Sequence, residues 1–124
     1  MTPNPFLLFR AAALFNALVA VAFFFAAPMV ARLLGLSPEP APAVYIRILA
    51  ACVGLFGWGY WMIAADPVRL RPFVLQAAVG KLSVVAIILA SVAMGEANLA
   101  VAGLGGGDLI FGLLFVLYLV RTRA

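Results

Sequence analysis

The chain has 124 residues, 68% of them hydrophobic and 10% charged, with a net charge of +4 and a mean hydropathy of +1.23; a soluble domain, whose surface needs about a quarter charged residues, is excluded, and an integral membrane protein is indicated. The basic residues stand singly at segment ends, without a run or patch, so the positive charge does not point to nucleic acid. Histidine is absent and Cys52 is the single cysteine, which removes a disulfide framework, imidazole ligation of haem or zinc, and every histidine-based triad; neither a metal nor another cofactor is called for.

The first apolar segment runs from about Leu7 to Met29. Ala26-Ala27 are small residues of the kind signal-peptide cleavage sites use, but the apolar run from Ala11 to Ala31 exceeds the 7–15 residues of a typical signal-peptide core, so a retained first span is expected. A connection stiffened by Pro38, Pro40 and Pro42, with Ser37 and Glu39, leads to a second span, about Val44 to Ala65. Asp66-Pro67 and Pro72 bracket a tight turn before the third, Phe73 to Met94, and Gly95-Glu96-Ala97-Asn98 precedes the fourth, Leu99 to Val120. Each approaches the ~20 residues needed to cross a ~30 Å hydrocarbon core. Short connections make consecutive spans antiparallel, so the expected fold is all-α: one membrane domain over residues 1–124, an up-down four-helix bundle.

Orientation follows from the basic residues. Arg10, Arg69, Arg71, Arg121 and Arg123 fall at one end of the spans, Arg32 and Arg47 at the other. The positive-inside rule then places both termini and the second loop in the cytoplasm. Trp58, Tyr60, Trp61 and Tyr118 gather toward that same end, as an interfacial aromatic belt would. Gly54, Gly57 and Gly59 in the second span and Gly103-x-x-x-Gly107 in the fourth permit close helix approach, either within the chain or in a homo-oligomer.

Two ionisable residues interrupt these spans, Lys81 in the third and Asp108 in the fourth. An isolated charge at such depth costs roughly 2.5–3.5 kcal/mol by insertion scales. At ~1.5 Å rise per residue, Lys81 lies about 13 Å in from the cytoplasmic boundary, Asn16 about 15 Å and Asp108 about 19 Å, close enough to share one layer. Arg47 and Glu96, near the outer ends of adjacent spans, are expected to pair above it and extend a polar column. Asn16, Lys81, Asp108, Arg47 and Glu96 are therefore the candidate ligand-binding residues. A purely structural Lys81–Asp108 pair, or a snorkelling Lys81, accounts for the same residues. Gly105-Gly106-Gly107-Asp108 leaves two readings open: a fourth helix broken before an Asp N-cap, as in transporter sites, or a continuous helix crossing a neighbour closely. No nucleophile–base spacing accompanies Lys81 or Asp108, and Gly80-Lys81-Leu82-Ser83 lacks the leading glycine of a phosphate loop.

The strings Ala27-Pro28-Met29-Val30-Ala31-Arg32-Leu33-Leu34-Gly35, Tyr45-Ile46-Arg47-Ile48-Leu49 and Ala64-Ala65-Asp66-Pro67, with Gly80-Lys81, give an order of features that resembles the small four-span bacterial membrane proteins grouped as DoxX-like. The resemblance implies a four-helix fold in the bacterial inner membrane and carries over no catalytic residue. The function expected is binding or passage of a small solute or lipid at the midplane layer, with an accessory subunit of a larger membrane complex and a lipid-modifying enzyme using Asp108 as acid as the rivals.

Overall fold

The computed structural model describes residues 2–36 and 40–123. They form α1 (Pro5–Phe25), α2 (Ala27–Leu33), α3 (Pro40–Ala65), α4 (Arg71–Ala93) and α5 (Leu99–Arg121). Four of these, all but α2, are long and apolar enough to cross a membrane. No strand occurs among the described residues. The expected connection at Ser37–Glu39 lies outside them, while Pro40 and Pro42 belong to the first turn of α3, where a missing N–H costs nothing.

The helix ends are written locally. Asn4 caps α1, its side chain accepting from Leu7 N at 3.2 Å, with Pro5 as the first helical residue. The α2 and α4 helices each stop at a glycine in the left-handed region, Gly35 (φ 74°) and Gly95 (φ 75°). In both, the next amide reaches back five residues: Leu36 N to Ala31 O and Glu96 N to Ser91 O, each at 2.8 Å. Asn98 caps α5 by accepting from Val101 N and donates to Leu33 O at 3.3 Å, tying the α4–α5 turn to the end of α2.

The first span is not a single helix to Met29. Pro28 has no N–H for the Phe24 carbonyl one turn back, and its ring crowds that carbonyl, so α1 ends at Phe25 and the chain restarts as α2. The orphaned Phe24 oxygen accepts from Arg47 Nε at 3.2 Å.

Packing proceeds in antiparallel pairs, α1 along α3 and α4 along α5. Glycines bring each pair together: a Cβ on Gly57 would lie 3.1 Å from Asn16 Cβ, and one on Gly112 would lie 2.9 Å from Leu82 Cδ2. The two pairs meet chiefly through large side chains. Phe9 and Phe115, both fully buried, have ring centroids 5.0 Å apart, and Tyr60 and Tyr118 set their edges against this pair. Tyr60 and Tyr118 are thus core residues and not part of an interfacial belt, whereas Trp58 and Trp61 are exposed. At the opposite end a separate cluster of Ala27, Val30, Ala31, Ala43 and Ile46 joins α2 to α3, with Phe23 of α1 packed against it.

The fourth span is one continuous helix through Gly105–Gly107. Its glycines serve close approach. A Cβ on Gly105 would lie 3.2 Å from Ile88 Cδ1, and one on Gly107 would run into the Phe15 ring. Gly103 has nothing within 4 Å, so the two ends of the Gly103-x-x-x-Gly107 spacing face different surroundings.

Candidate functional site

Lys81 belongs to the buried stripe of α4, Val74, Ala77, Ala78, Lys81 and Val85, whose three- and four-residue steps define its inward face. Helical periodicity delivers the ammonium to the bundle interior and holds it 4% exposed. Asp108 shares a face of α5 with Phe111, Phe115 and Tyr118, again at steps of three and four. Asn16, 4% exposed, closes the inward stripe of α1 that begins at Leu8 and Phe9.

The three residues meet. Lys81 Nζ donates to Asp108 Oδ1 at 2.6 Å and to Asn16 Oδ1 at 3.2 Å, and Asn16 Nδ2 donates to Val53 O at 3.2 Å. The chain of bonds runs from α5 through α4 and α1 to α3, so one polar layer links all four long helices. Three rings surround the ammonium, with Nζ 5.3 Å from the Tyr60 centroid, 5.6 Å from Phe15 and 5.8 Å from Phe111. These faces offset part of the lost hydration through their quadrupoles. Sequence reasoning missed them, although Phe15 adjoins Asn16, and Phe111 lies one turn from Asp108.

Arg47 and Glu96 are not brought into this layer. The Arg47 guanidinium serves the Phe24 carbonyl left by Pro28, and Glu96 is exposed in the α4–α5 turn. Among the described residues the ion pair is Lys81–Asp108 alone. A local defect in α1 took the hydrogen-bonding capacity of Arg47, and nothing in residue spacing announces that without the kink.

The layer marks a change in packing. From the α3–α4 turn up to it, α1, α3, α4 and α5 share one hydrophobic core. Beyond it, toward the α4–α5 turn, no residue of α4 after Val85, none of α5 before Gly105 and none of α1 after Asn16 is buried. Asp108 retains 25% exposure, and no donor among the described residues reaches its Oδ2. One side of the layer is thus sealed by aromatic rings. Asp108 Oδ2 is left with unused acceptor capacity.

The chemistry available is acceptance and charge pairing. Lys81 is engaged as donor to two acceptors, so its amine is not offered as a nucleophile, and no serine, cysteine or second carboxylate touches it. No group of three or more metal-ligating side chains occurs among the described residues. Comparison with protein-family models, curated proteins and solved structures gives no match to the chain.

Proposed function

We propose that this small membrane protein binds a small solute or lipid headgroup bearing a hydroxyl or amine donor at the Asn16–Lys81–Asp108 layer. The observation that carries the reading is that Asp108 is 25% exposed and no donor among the described residues reaches its Oδ2, at the level beyond which the four long helices no longer share one core. An intramembrane ionisable residue is a functional-site candidate by default.

Binding fits better than passage, because a continuous polar route would have to cross Phe9, Val74 and Phe115, which have no exposed surface. The five-to-two distribution of arginines supports a topology with both termini and the α3–α4 turn in the cytoplasm, and hence a site facing outward. The resemblance to DoxX-like proteins supports a place in the bacterial inner membrane. For the lipid-modifying enzyme, the group beside Asp108 is Lys81, whose ammonium is committed to Asp108 and Asn16.

The test is ligand-dependent thermal stabilisation of the purified protein, with glycerol and ethanolamine as soluble probes and nanodiscs with or without phosphatidylethanolamine as the lipid arm. At least one arm is expected to stabilise the wild type and to leave the Lys81→Met/Asp108→Leu double variant unaffected. Equal stabilisation of both proteins, or of neither, contradicts the proposal.

A further inference from the structure

A second feature lies along the α1–α3 pair, beside Asn16 of the polar layer but lined by other residues. Arg10, Ala13 and Ala17 form a stripe on α1 at helical spacing. Facing it on α3, Gly54, Gly57, Trp58 and Trp61 repeat the same steps. Between them runs a groove of about 280 Å³ with almost no polar surface. From Ala13 to Ala17 it extends about 6 Å along the helix axis.

Arg10 stands at the head of this groove, near the helix ends by the α3–α4 turn. Its guanidinium carbon lies 3.3 Å from the centroid of Trp61 and 4.8 Å from that of Phe6, a stacked arrangement that fixes the plane of the cation. Its Nε is buried without a hydrogen-bond acceptor. No acidic residue among those described pairs with it, since the ion pair formed is Lys81–Asp108. The terminal nitrogens of the guanidinium also have no acceptor among the described residues, and these are the donors open to an external anion.

We infer that this groove is a phospholipid site, with an acyl chain lying between the small residues of α1 and α3 and an anionic headgroup accepting from Arg10. The apolar groove and the unpaired guanidinium complement the two ends of such a molecule in the order, and at the depth, that a bilayer presents them. Trp58 and Trp61, exposed at this level, suit the headgroup boundary. A second copy of the chain suits the groove less well. A two-fold partner would present the same face and bring Arg10 toward Arg10, like charges without an acid between them.

The measurement is lipid retention by the full-length protein in native mass spectrometry, with phosphatidylglycerol and phosphatidylcholine of the same chains offered in turn. The wild type is expected to hold one lipid and to prefer phosphatidylglycerol. Arg10→Gln should weaken phosphatidylglycerol retention about tenfold and abolish the preference. Ala17→Phe, at an exposed position, fills the groove and should weaken both lipids while keeping the preference. Wild-type retention and preference in Arg10→Gln overturn the inference. So does a lipid-free dimer that dissociates on Ala17→Phe, which would assign the groove to a second copy.

Discussion

Removing one member of the Lys81–Asp108 pair should destabilise the protein far more than removing both. The Asp108→Leu variant leaves an ammonium 4% exposed with Asn16 as its remaining acceptor, so its cost belongs toward the upper end of the ~3–5 kcal/mol typical of a stranded buried charge. The Lys81→Met variant strands a carboxylate that is 25% exposed and better able to recruit water, placing it toward about 3 kcal/mol. The double variant replaces the pair with apolar side chains of similar size and should regain most of the loss. Neutral interhelical hydrogen bonds in membrane proteins average only ~0.6 kcal/mol by double-mutant cycles, so a coupling above about 2 kcal/mol is the signature of an ion pair. The assay is reversible unfolding of all four proteins in mixed micelles by sodium dodecyl sulfate, followed by helical circular dichroism. Additive losses, or Lys81→Met costing more than Asp108→Leu, would refute the reasoning.

Arg47→Leu should cost about 1–3 kcal/mol by orphaning the Phe24 carbonyl, and adding Pro28→Ala, which restores an N–H one turn away, should recover much of it in the same unfolding assay. Gly107→Ala forces a methyl into the Phe15 ring and should destabilise by about 1–3 kcal/mol, whereas Gly103→Ala, with open space around it, should be neutral or stabilising by up to about 1 kcal/mol. With Cys52 replaced by alanine, a cysteine at Glu96 should react with an impermeant thiol reagent from outside the cell, and one at Arg123 only after the membrane is opened; the reverse pattern inverts the proposed topology.

Much of this architecture was legible because a membrane span is specified by simple quantities, length and hydropathy, and the short connections left few ways to arrange four of them. The polar layer was legible for a related reason. Lys81 and Asp108 stand out against apolar runs, and counting helical rise from the span ends placed both near Asn16. The errors arose where one residue acts on another's backbone. Pro28 ends α1 early, and its consequence falls on Arg47, 19 positions later, which caps a carbonyl instead of meeting Glu96. Of the two readings left open for the three successive glycines, the continuous helix is the one formed, and propensity alone does not choose it. Propensity omits the gain from letting Phe15 and Ile88 approach the α5 backbone, which keeps the helix whole. Tyr60 and Tyr118 look like belt residues by depth alone, but both lie in the shared core against Phe9 and Phe115.

The proposed site has the Asn16–Lys81–Asp108 layer as its floor, open on one side and sealed on the other. Cysteine substitutions on α5 above and below Asp108 test it directly, in the Cys52→Ala background, by rates of reaction with a small, charged, water-soluble thiol reagent in intact membranes. Leu104, one turn toward the α4–α5 turn and 39% exposed, should react as Leu104→Cys from the outer side, and Asp108→Leu should not be needed to open the way. Phe111→Cys and Phe115→Cys, on the sealed side, should stay unreactive from either face. Protection at Leu104 would mean a closed, purely structural layer, and reaction at Phe115 would mean a path through the bundle; either result contradicts the account.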